Sequence, residues 1–162
     1  MIELRETSHD TREMTINTRL LLGAAGAAGA AVWALQQPLD QRVFRSGYDD
    51  VDLLGLCLPL KRGARTAGWM LHVVNGAGFG VAYSELARRT PNISPATSAM
   101  GLALLEHVAL FPLGAIVDRK HPRRDQLAPI FGWRQFLQAT WRHAILGAVL
   151  GAAASRLLKR EQ

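Results

Sequence analysis

Four stretches of 20 residues, 20–39, 67–86, 98–117 and 139–158, are almost free of charge in a chain where charged residues make up 20%. About 20 mostly apolar residues at 1.5 Å rise each cross a hydrocarbon core of ~30 Å. Inside such a core the backbone must satisfy its own N–H and C=O groups, which leaves helices. The pattern predicts an all-α polytopic membrane protein: a four-transmembrane-helix bundle, with interfacial helices in the 1–2 and 3–4 connections. Its parts are a polar N-terminal arm (1–19), the transmembrane domain (20–158) and a short C-terminal tail (159–162). Of the few charges in the windows, Glu85, Arg142 and Arg156 lie near span ends, where long side chains reach the headgroups, whereas Glu106 lies in mid-span.

The averages conceal this segregation, since 49% hydrophobic residues also suits a soluble domain. The net charge of +6 is read as interfacial Arg and Lys on anionic lipid. No basic run carries the aromatic interleaving of a nucleic-acid module, so nucleic acid is not an expected partner. Cys57 is the single cysteine, which excludes an intrachain disulfide and a multi-cysteine metal site. Among apolar neighbours it reads as a small hydrophobe. The first 19 residues mix Glu3, Glu6, Asp10 and Glu13 with Arg5, Arg12 and Arg19. A secretory leader opens on a short positive region, so the first apolar run is expected to be a retained anchor.

Small residues mark the helix-packing surfaces. Span 1 holds nine in a row from Gly23 to Ala31, including Gly26, Ala27 and Gly29. In a bilayer such residues let backbones approach closely. Span 2 carries Gly76 and Gly80 at i, i+4 and span 4 carries Gly147 and Gly151, so these two faces are expected to close on each other. Span 1 would then turn its small face to another polypeptide. Pro38 and Asp40 suggest the end of span 1, and Pro112 predicts a kink late in span 3. The 40–66 connection contains an acidic Tyr48-Asp49-Asp50-Val51-Asp52 run, read as a solvated turn or helix cap. It lacks the glycine and terminal glutamate of a calcium loop. The 118–138 connection mixes Arg119, Lys120, Arg123, Arg124 and Arg134 with Phe131, Trp133 and Phe136, as an amphipathic surface helix would.

Polar residues at mid-depth are the candidate site. His72 and Asn75 in span 2, and Glu106 and His107 in span 3, form an expected intramembrane polar cluster, with the two pairs in contact. Ionisable groups at that depth are costly and are retained for a reason. The simplest is hydrogen bonding between spans. A proton path, a metal or haem site and intramembrane hydrolysis are the sharper alternatives. Adjacent Glu106 and His107 point about 100° apart on a helix and do not aim at one ion. No nucleophile elbow, zinc-protease motif or nucleotide loop is present. No catalytic residue, metal or cofactor is therefore expected.

Leu71-His72-Val73-Val74-Asn75-Gly76-Ala77-Gly78-Phe79-Gly80 and Glu106-His107-Val108-Ala109-Leu110-Phe111-Pro112 give a resemblance to small four-span integral membrane proteins of high-GC, actinobacterial-type bacteria. The excess of arginine over lysine, 16 to 3, points the same way. The resemblance implies residence in the inner membrane and fits a subunit of a multisubunit lipid importer, with a respiratory assembly as the second choice. The expected function is a non-catalytic accessory subunit, not an enzyme, with membrane lipids and other membrane subunits as partners, the latter through span 1. Its termini are expected to be cytoplasmic. The alternative is a stand-alone channel, transporter or intramembrane enzyme using His72, Asn75, Glu106 and His107.

Overall fold

The computed structural model describes residues 14–160, so most of the polar arm and the end of the C-terminal tail lie outside the described residues. The described chain is helical throughout, without strands: α1 Ile16–Phe44, α2 Asp50–Leu56, α3 Ala64–Arg89, α4 Pro95–Leu110, α5 Gly114–Lys120 and α6 Trp133–Leu157. Two stretches among the described residues are long and apolar enough to cross a membrane, α1 and the run Pro95–Lys120 that joins α4 to α5. α3 and α6 are of similar length, but glycines and the polar His72, Asn75, Arg142 and His143 dilute their apolar character.

Local chemistry sets the helix ends. The Thr15 hydroxyl caps α1 by accepting from the Thr18 amide at 3.2 Å, and Ser94 caps α4 from the Thr97 amide at 3.1 Å, with Pro95 at the first helical position. Asp49 caps α2, accepting from the amides of Val51 and Asp52 at 2.8 and 3.0 Å. α1 does not stop at Pro38. It runs on to Phe44 and closes on Arg45 in the left-handed conformation, φ 49°. Proline removes one helix hydrogen bond, and contacts on either side of it offset that loss: Gln37 and Asp40 are buried, and Asp40 binds α6. At Pro112 the α-helix gives way to one 3-10 turn, Phe111–Leu113, before α5 resumes.

The 118–138 connection is not a surface helix. α5 ends at Lys120, one 3-10 turn follows at Arg124–Gln126, and α6 starts at Trp133, taking Phe136 and Leu137 into its first turns. The Asp118 carboxylate holds the loop by accepting from the Ile130 and Phe131 amides at 2.8 and 2.9 Å.

The helices neighbour one another in the order α3, α1, α6, α4. The glycines explain that order, and it differs from the expected pairing of spans 2 and 4. Gly76 and Gly80 of α3 lie against Gly26, Gly23 and Leu22 of α1, where a methyl at Gly26 would overlap the Gly76 carbonyl oxygen. Gly29 faces Leu146 of α6. Gly147 and Gly151 lie against Met100, Ala103, Ala96 and Ala99 of α4. Span 1 therefore buries its glycine face inside the chain, while Ala27 sits half-buried beside it. At one end all four long helices converge on Leu22, Tyr83, Ala99, Leu150 and Ala154. There the Tyr83 hydroxyl donates to the Pro95 carbonyl at 2.9 Å and lies 3.0 Å from Ser98 Oγ.

Candidate functional site: a buried charge cluster and a histidine belt

At the other end of the bundle the interior is polar. Arg142 of α6 is 0% exposed. It does not reach for a headgroup, as a charge near a span end was expected to. Its guanidinium binds Asp40 of α1 through two bonds, Nε to Oδ2 at 2.6 Å and Nη2 to Oδ1 at 2.8 Å. Nη1 donates to Asp50 Oδ2 at 2.5 Å, and Nη2 also donates to the Tyr48 carbonyl at 3.0 Å. Bidentate geometry of this kind is the strongest ion pairing that side chains offer.

One guanidinium meets two carboxylates, so the remaining oxygens need neutral donors. Asp40 accepts from Gln138 at 2.7 Å and from Gln36 at 2.6 Å. Trp141 holds Gln36 in place through a 3.0 Å bond to its carbonyl oxygen. Asp50 accepts from the Trp33 indole at 3.1 Å and, through a short bond, from the Tyr48 hydroxyl. Burial and then the Asp50 carboxylate push the Tyr48 hydroxyl well above its ordinary pKa, so it stays a donor. Gln138 Oε1 is the one buried side-chain polar atom among the described residues without a hydrogen-bond partner. An open groove of about 520 Å³ lies beside this cluster, lined in part by Gln37, Gln41, Asp49, Asp52, Arg65 and Trp69. Arg65 pairs there with Asp49 at 3.1 Å and with Asp52 at 2.7 Å. Burial raises the Asp49 carboxyl, but the Asp52 amide, Gln37 and Arg65 outweigh it and hold the group below the usual range. Burial and the neighbouring Asp49 raise the Asp52 carboxyl.

A belt of rings continues from this cluster across the bundle. Trp33 stands edge-on to His72 of α3 at 5.0 Å and lies 4.7 Å from His143 of α6. His143 lies 4.9 Å from His107 of α4. Hydrogen-bond partners fix the proton on each ring. His72 Nε2 donates to the Ala30 carbonyl at 3.1 Å. Thr140 gives its hydroxyl proton to the Phe136 carbonyl, so it accepts from His107 Nε2 at 2.9 Å. His143 Nδ1 donates to the Ala139 carbonyl at 2.7 Å, which turns Nε2 towards Glu106 Oε2, 3.7 Å away. The neutral ring has a bare lone pair at Nε2, so the Glu106–His143 pair is favourable only when it holds one proton between them.

The four sequence-predicted residues thus occupy different surroundings. His72 and His107 are buried, Glu106 is partly exposed, and Asn75 is exposed on α3. His72 and Asn75 make no hydrogen bond to Glu106 or His107. Trp33 and His143 stand between them, because α1 and α6 separate α3 from α4. Among the described residues no group of three His, Cys, Asp or Glu side chains is disposed to hold a metal ion. Sequence reading missed Arg142, Asp40, Asp50, Gln138 and Trp33. The available signal was a window holding an arginine, together with acids that were read only as a span end (Asp40) and as a solvated turn or helix cap (Asp50).

Comparison with protein-family models, with curated proteins and with solved structures finds no match.

Proposed function

We propose that this chain is a non-catalytic accessory subunit of a larger inner-membrane complex, crossing the membrane four times with both termini cytoplasmic. One observation carries the reading: the buried Arg142 charge is neutralised from within, by the chain's own Asp40 and Asp50. Every nitrogen of Arg142 donates to the chain's own Asp40, Asp50 or Tyr48, four bonds in all, so each is already engaged by the chain itself. Such a cluster fixes helix positions and does not turn over a ligand. The bulky apolar side chains meanwhile face outward, among them Leu20, Leu35 and Leu39 of α1, Leu105 of α4 and Ile116 of α5. Lipid and neighbouring subunits are the partners that suit this surface, and a lipid-importing assembly is the class suggested by the sequence resemblance.

The glycine face of α1 is occupied, so the proposed contact moves to its outward side, where Ala24 and Ala28 are exposed one turn apart. Close helix approach remains available there. The test is purification from native membranes at endogenous level. The wild-type chain should bring defined membrane partners with it. Ala24→Phe combined with Ala28→Phe should lose them while keeping the helical signal and thermal unfolding of the wild type. A wild-type chain that purifies with no other protein, or variants that stay fully assembled, would overturn the proposal.

A further inference from the structure

Two polar side chains lie at matched depth: Asn75 makes no hydrogen bond, and Glu106 pairs with the His143 ring at 3.7 Å. Asn75 is exposed in the middle of α3, among Leu71, Val74, Gly78 and Val81, and makes no hydrogen bond. Glu106 sits in the middle of the apolar run Pro95–Lys120, with 30% of its side chain exposed and only His143 nearby at 3.7 Å. Their depths can be compared because Tyr83 and Ser98 touch at 3.0 Å and mark a common level on α3 and α4. Asn75 lies eight residues before Tyr83, and Glu106 eight residues after Ser98. At 1.5 Å per residue both stand ~12 Å from that level.

An amide in hydrocarbon needs a partner, as does a carboxyl group. The two are complementary, since Asn75 Nδ2 donates and Glu106 Oε accepts. Within one copy they do not pair. A two-fold axis along the membrane normal preserves depth, so two groups can meet in both directions across such an axis only when their depths are equal. We propose that a second copy of this chain docks on the outer α3–α4 face, with Asn75 of each copy donating to Glu106 of the other. Gly78 favours this face, because nothing within 4 Å surrounds the place where its side chain would be. Ala82, also exposed, keeps the same stripe small. The surface is separate from the outward side of α1, so the dimer rests on the four-span reading but not on any other subunit.

The experiment uses the full chain in native membranes with Cys57→Ser as background. One tagged copy carries Asn75→Cys and a differently tagged copy carries Glu106→Cys, and mild oxidation follows co-expression. A disulfide joining the two tags is expected. Because cysteine could itself weaken the contact, native mass in detergent is measured in parallel. The wild type should be a dimer, Glu106→Gln should remain one because its amide oxygen still accepts, and Asn75→Leu should raise the dissociation constant on the order of tenfold, as two interhelical bonds at membrane strength imply. A monomeric wild type, a dimer indifferent to Asn75→Leu, or cross-linking of Asn75→Cys to a different protein would overturn the dimer. None of these results bears on co-purification through α1.

Discussion

Arg142 is the residue on which the polar end of the bundle depends. A buried ion pair is a modest source of net stability, because desolvation opposes the attraction, but removing one partner leaves the other charged and stranded. Arg142→Ala should therefore destabilise by about 3–5 kcal/mol. Asp40→Ala should cost a similar amount, and the double variant should cost clearly less than the sum, since it strands less charge. Unfolding in detergent, followed by helical signal, measures all three. A loss below ~1 kcal/mol for Arg142→Ala would mean that the arginine is solvated and not clamped. This residue also shows where sequence reading stops. Arginine at the edge of a charge-poor window has two physical outcomes, snorkelling or internal pairing. The choice depends on acids 92 and 102 positions away, which no local pattern reveals. His72 and His107 were recognisable as polar groups within apolar stretches. Their neighbours, Trp33 and His143, come from helices that only the three-dimensional order places between them.

For the helices, existence was legible and pairing was not. Four long helices follow from the charge-poor windows, and the cap at Asp49 falls in the acidic run read as a solvated turn or helix cap, whereas the Ser94 cap emerged only with the structure. The glycine faces were visible as spacings, but a face does not say which helix it meets. Gly26 against Gly76 and Gly80 settles that α1 lies on α3, and Gly147 against Met100 that α6 lies on α4. The consequence is specific. Gly26→Leu should damage the fold and not merely detach a partner, because its side chain would overlap backbone atoms of α3. Overpacking typically costs about 1–3 kcal/mol, and backbone at the contact places this site near the upper end. Gly78→Leu, facing open space, should be nearly neutral in the same unfolding assay of the isolated protomer. Equal stability of the two variants would contradict the α1–α3 packing. Pro38 carries the complementary lesson. Proline suggested an end, yet α1 continues because Asp40, just beyond it, is tied into the Arg142 cluster.

At the scale of the molecule, a glycine-packed end and a charge-clamped end share one bundle. The central claim is that all four long helices cross the bilayer, although only α1 and the α4–α5 run are apolar enough to do so by composition alone. The α3 and α6 helices would cross because their polar residues are covered by neighbouring helices or by a second copy. Cysteine accessibility decides this most directly. Single cysteines replace Lys61, Asn92, Gln126 and Lys159 in a Cys57→Ser background, and sealed vesicles are labelled with a membrane-impermeant maleimide before and after permeabilisation. Four spans place Lys61 and Gln126 on one side, and Asn92 and Lys159 on the other. Labelling of Lys61→Cys and Asn92→Cys from the same side would show that α3 does not cross, and would contradict the four-span bundle.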